Sequence, residues 1–346
     1  MRRMLLAPCI AAALASALVA AEPNRVAHTD AKLGISFPAT LGGLTFTTVK
    51  TFSRPEHGYS LRYTGKDLTK ADVYIYNNGI AEIPTGCDNA IVAHEANSVR
   101  RVLDTMEARG SYANLKHLGR GVAPEKGRIR FLWSRSEYAQ GEGSTFAGMR
   151  VSDTLLTGFA GNFIKVRYTD KKANSKQGAG GVSQFALELG QLLGKADDAR
   201  RAAARKEVLD AIKAFREDPL SKEGLAAGRT IIVFAEASDD VMVTIGLHTC
   251  PWLREKEYKH GTTLLVAYVA GNVRVQLQKA VARNHTYEGV LQVIETYGQL
   301  RAKKATEPVK PVEDWIKLQK AGGLKEHIES ELKEAASQPA PPAKTD

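Results

Sequence analysis

The apolar residues of this chain change their spacing partway along it, and that change limits the folds open to it. In the first half they recur at every second position: Ile35 and Phe37, Leu44 and Phe46, then Tyr59, Leu61 and Tyr63, then Ile129, Phe131 and Trp133, then Ile164, Val166 and Tyr168. Alternation of this kind buries one face of a strand. Beyond Gly194 the composition shifts to Ala, Arg, Lys and Glu, and Val208, Leu209, Ile212 and Phe215 fall on one stripe of a helix. The 346 residues suffice for two cores. The pattern therefore predicts an α+β domain over 30–195, with an antiparallel sheet and flanking helices. A mainly helical domain over 197–335 follows, then a proline-rich disordered tail over 336–346.

Within the first domain, Asn77-Asn78-Gly79 marks a turn, and the spacing of Ala90, Ala93, Ala96, Val99, Val102, Leu103 and Met106 predicts a helix over 89–109, closed by Gly110. Strands are expected over 128–138, 146–159 and 162–169. The Gly-rich segment from Lys171 to Gly181 reads as a mobile loop before an amphipathic helix ending at Gly194. In the second domain, Leu264 to Val281 and Val290 to Leu300 read as helices, with a last helix from Val312 to Ala335. Residues 231–245 fit a strand or a helix equally well.

The N-terminal order of strands, helix, strands, loop and closing helix, with a strand ending in Phe163-Ile-Lys-Val-Arg-Tyr168, resembles the PsbP-like superfamily of small exported or lumenal α+β domains. That resemblance covers the N-terminal half only and implies an accessory or binding module without a common catalytic site. Taken whole, the chain also resembles uncharacterised exported proteins of Gram-negative bacteria.

Arg2 and Arg3 precede an apolar run from Met4 to Val19, and Ala20-Ala21 ends in small residues before Glu22-Pro23. This pattern predicts a signal peptide over 1–21, cleaved after Ala21, and hence a periplasmic or secreted protein with no transmembrane segment in its mature chain. The net charge is +10. Removing residues 1–21 takes away two arginines and no acid, leaving 46 basic against 38 acidic residues. In an envelope compartment that balance favours an anionic envelope component or an envelope protein as partner, not nucleic acid. Cys87 and Cys250 remain, far apart in sequence; an oxidising compartment permits a bridge between them, and two unpaired thiols is the alternative.

No motif specifies a chemistry. Gly141-Glu-Gly-Ser-Thr145 lacks nucleophile-elbow spacing, and His94-Glu95 has no second histidine in register. His248-Thr-Cys250 lacks further zinc ligands, and Gly178-Ala-Gly-Gly181 lacks the Lys-Ser/Thr ending of a phosphate loop. No cofactor, metal or catalytic residue is expected on these grounds. Strand alternation offers one surface, in which Arg62, Arg128, Arg130, Lys165 and Arg167 face away from the core as a basic face for an anionic ligand. The more ordinary reading of the same row is a solvated face neutralised by acids such as Glu137 and Asp153. The sequence thus points to a non-catalytic periplasmic binding or accessory module. The alternative is an envelope hydrolase whose residues converge from dispersed positions.

Overall fold

A computed structural model describes residues 25–141, 147–254 and 258–337. The expected signal peptide and nearly all of the expected tail lie outside these residues. The chain is α+β and divides between Ala199 and Arg200 into two compact units.

In the first unit, β1 (Val26–Asp30) pairs with β2 (Ile35–Pro38). Eight further strands form one antiparallel sheet: β3 (Thr40–Leu41), β4 (Leu44–Thr51), β5 (Tyr59–Thr64), β6 (Lys70–Tyr76), β7 (Tyr112–Ala123), β8 (Phe131–Gln140), β9 (Gly148–Phe159) and β10 (Asn162–Lys171). Their order is β3-β4-β5-β6-β10-β9-β8-β7. Helix α1 (Ala90–Ala108) enters between β6 and β7, its first turn capped by Asn89, whose side chain accepts from the Val92 amide. Helix α2 (Ser175–Glu217) follows β10.

The alternating residues meet on one face, as the spacing requires. Leu61, Tyr63, Val73, Phe131, Leu155, Ile164, Val166 and Tyr168 pack against Val182, Phe185, Leu189 and Leu193 of α2. The opposite face carries α1 on a smaller apolar patch of Tyr76, Ile83, Cys87, Val92, Leu156 and Phe163.

The segment Lys171–Gly181 is not a loop. A short 3-10 turn (Lys172–Asn174) leads straight into α2, and the later glycines serve packing: a Cβ at Gly181 would lie 2.5 Å from the Tyr168 hydroxyl, and one at Gly190 2.8 Å from the Ile129 carbonyl. Lys195 to Lys206, which reads as a charged linker, is also helical. The expected stop at Gly194 does not occur, because a single glycine costs a helix only about 1 kcal/mol.

The second unit packs the C-terminal part of α2 with α3 (Lys222–Ala237), α4 (Gly261–Lys279), α5 (Thr286–Ala302), α6 (Lys310–Lys320) and α7 (Leu324–Ser337) around Trp252, Tyr268, Tyr297 and Trp315. Residues 231–237 end α3. Residues 241–246 take no regular form, and the buried Gln276 side chain holds them by pairing with both the amide and the carbonyl of Met242 at 2.8 Å. The single helix expected over Val312–Ala335 is two, broken at Ala321-Gly322-Gly323, where Gly322 has φ +78°. Small residues let α4 and α5 approach: a Cβ on Gly271 would lie 2.4 Å from the Glu288 carbonyl. Among the described residues no helix is long and apolar enough to cross a membrane.

Candidate functional site: a groove between a helix and the sheet

Of the five cations expected on one basic face, four lie on the α1 side of the sheet, Arg130 among them. Arg62, Lys165 and Arg167 project on the α1 side of the sheet, but none is a free surface charge. Arg62 binds the buried Asp72 through two nitrogens, at 2.6 and 3.2 Å. Arg167 donates to the hydroxyls of Tyr112 and Tyr138 at 2.8 Å each, and those two rings stack 4.2 Å apart. Lys165 lies under the rings of Tyr74 and Tyr76, and burial pushes its pKa down.

Arg128 departs from the face. Strand β8 begins only at Phe131, and Arg128, three residues before it, follows the acids on α2 and not the pleat, whereas Ile129 and Phe131 are both buried in the core and Arg130 between them faces the other way. Arg128 pairs with Asp197 at 2.6 Å and with Asp198, both on α2; Arg130 pairs with Asp88, just before α1. The acids named as their neutralisers serve other bases, Glu137 binding Lys172 and Asp153 binding Arg135.

Strand pairing on the α1 side sorts residues into transverse rows. One row runs Arg62, Asp72, Arg167, Thr154, Ser134, Arg120 from β5 to β7. The row nearer the N-terminus of α1 is apolar beyond Lys165, with Leu156, Leu132 and Val122. The row on the other side is polar, with Lys70, Thr169, Ser152, Ser136 and His117. Between α1 and this surface lies a groove of about 450 Å³, within the usual range for small-ligand sites. Ala93, Ala96 and Asn97 wall it, Leu132, Leu156 and Val122 give it an apolar lining, and Ser134 and Thr154 add hydroxyls. Arg100 and Arg120 line it from opposite sides, one on α1 and one on β7. Both are exposed, and among the described residues neither guanidinium has a hydrogen-bond or ion-pair partner.

Beside the groove, His117 links α1 to the sheet. Its Nε2 lies 2.8 Å from Asp104 Oδ1, and its Nδ1 lies 3.0 Å from Ser136 Oγ. Ser136 is 3 % exposed. None of Arg100, Asp104, His117, Arg120 or Ser136 stands out in sequence, because the strand that gathers them, β7, hides its alternation behind two register shifts and the left-handed Asn114.

The motifs considered earlier do not assemble. His94 is exposed on α1, and its neighbour Glu95 accepts from the Tyr76 hydroxyl. Cys87 and Cys250 are buried free thiols; burial raises the pKa of both, that of Cys250 to about 12. His248 lines a cavity of about 480 Å³ in the second unit with Lys310, Asp314, Trp315, His327 and Glu331. Among the described residues no cluster of three or more His, Cys, Asp or Glu side chains could hold a metal ion. Compared with protein-family models, curated proteins and solved structures, the chain matches none.

Proposed function

We propose that this is an exported binding module whose N-terminal unit takes a single-chain amphipathic anion, with the alkyl chain along the apolar lining of the groove and the anionic head between Arg100 and Arg120. The observation that carries the reading is the pairing of an apolar lining with two cations that have no protein anion among the described residues. Guanidinium groups left in this way favour a carboxylate or phosphate that can take paired hydrogen bonds. The export signal and the basic balance fit an envelope ligand of that kind.

Titration of the mature protein with dodecanoate, dodecanol and dodecyltrimethylammonium tests the reading. Dodecanoate should bind most tightly, and the Arg100→Ala/Arg120→Ala variant should lose that preference. Each buried methylene is worth about 0.8 kcal/mol, so dodecanoate should exceed hexanoate by at most about 5 kcal/mol. Equal binding of the cationic and anionic amphiphiles, or no dependence on chain length, would remove the proposal. A mature N-terminus at Glu22, found by mass spectrometry of periplasmic extract, would support export; an intact Met1 would count against it.

A further inference from the structure

Asp104, His117 and Ser136 come from α1, β7 and β8 and meet in one hydrogen-bonded line. A carboxylate only accepts, so in the neutral imidazole the Nε2 that faces Asp104 carries the proton. That leaves Nδ1 as an acceptor, and the Ser136 hydroxyl donates to it. The result is a hydroxyl beside a base that is itself oriented by a carboxylate, the arrangement of an activated serine nucleophile, with the two ring nitrogens exchanged relative to chymotrypsin-like triads.

The line also has a defined position relative to the groove. Asp104 lies four residues beyond Arg100 on α1, about 6 Å along the helix. Ser136 lies two residues beyond Ser134 on β8, about 6.6 Å along the strand. The two steps match, so the relay sits one position past the arginine pair on both walls. A chain lying along Leu156 and Leu132 with its carbonyl between the arginines ends beside Ser134, in the row next to Ser136.

We infer that Asp104, His117 and Ser136 form a catalytic site for cleaving long-chain acyl esters, and that the carboxylate proposed above for the groove is the product. The inference rests on that reading of the groove for the acyl chain, and on the relay for the chemistry. Ser136 Oγ attacks the ester carbonyl carbon and its proton passes to His117 Nδ1. Arg120, which pairs with Ser134 in the adjacent row of this face, supplies the positive charge for the carbonyl oxygen. The alkoxy C–O bond then breaks, and the leaving alcohol takes the proton from His117. Water attacks the acyl-serine in the same way and releases the acid, so that ester and water give acid and alcohol. Asp104 acts as a positioning residue through His117.

The test uses the mature protein with p-nitrophenyl acetate, p-nitrophenyl dodecanoate and an alkyl fluorophosphonate, with peptide mapping of the modified serine. The acetate ester needs no groove and reports the relay alone. Wild type should turn over both esters and carry the probe on Ser136. Ser136→Ala and His117→Gln should fall to the buffer rate, and Asp104→Asn should lose about 100-fold or more in kcat with KM little changed. Ser60→Ala, a buried hydroxyl elsewhere on the same face, should behave as wild type. Ser136→Ala removes one atom and one hydrogen bond, so its thermal transition should fall by no more than about 2–4 °C, separating lost chemistry from lost folding. Turnover or labelling that survives Ser136→Ala overturns the inference, as does a wild-type protein that neither hydrolyses the acetate ester nor takes the probe; the relay would then only fasten α1 to the sheet. Hydrolysis of acetate without any preference for dodecanoate would instead refute the groove and leave the serine chemistry standing.

Discussion

Two glycines four residues apart on α2 offer a test of how tightly that helix lies on the sheet. A methyl group at Gly190 would stand 2.8 Å from the Ile129 carbonyl oxygen and 3.6 Å from the Phe131 ring; at Gly194 it would meet nothing within 4 Å. Replacing either by alanine gives the helix the same gain, about 1 kcal/mol of propensity. That common gain cancels when the variants are compared, so their difference isolates the contact. An ordinary Cβ contact begins near 3.4 Å, and the backbone carbonyl at Gly190 cannot swing aside, so the helix must lift by about half an ångström over a core that includes Phe185 and Leu189. Overpacking of this kind costs about 1–3 kcal/mol. Gly194→Ala should therefore be about 1 kcal/mol more stable than the parent, and Gly190→Ala about 1–3 kcal/mol less stable than Gly194→Ala, by urea denaturation at unchanged slope. Equal stabilisation by the two substitutions would refute the close approach of α2 to the sheet.

Burial raises the pKa of Tyr59, Tyr63 and Tyr76 above 10. Their contribution is complete below the unfolded value of 10 and is lost as pH rises above it. Stability measured by denaturation should thus fall progressively above pH 10, less steeply in Tyr63→Phe, which also loses the bond to the Pro38 carbonyl at a cost of about 1 kcal/mol. Native mature protein should show no thiol reactive toward Ellman's reagent and two after unfolding in denaturant; two unreactive positions after unfolding would mean a disulfide between Cys87 and Cys250. Trypsin should spare Lys195, Arg200, Arg201, Arg205 and Lys206 in the native protein, because all lie within α2; early cleavage there would contradict a continuous helix.

The sheet's inward face was legible because it obeys one rule. Tyr63, Phe131, Ile164 and Val166 alternate, and all are buried against one helix. Helix α1 was legible from its spacing for the same reason. Where a second constraint overrode the first, the sequence misled. Gly181 looks like a loop residue, yet serves a helix that needs to come close. Arg128 alternates with Ile129 but precedes the strand, so the acids of α2, not the pleat, decide where it points. The groove and the relay were not legible at all. Asp104, His117 and Ser136 are separated by 13 and 19 residues, and only strand pairing brings the last two together. The break at Gly322-Gly323 did carry a readable signal in its paired glycines.

The two walls of the groove are consecutive in the chain. Helix α1 ends at Ala108, Gly110 turns the backbone at φ +72°, and β7 starts at Tyr112, with the Ser111 amide returning to the Met106 carbonyl at 2.9 Å. A three-residue corner therefore sets how far apart the walls stand, while the main core lies on the other side of the sheet. Lengthening or stiffening that corner would alter what the groove admits without disturbing the packing under α2. Selectivity and stability are in this way separable, and a single cassette from residue 90 to 123 could be exchanged to change one and keep the other.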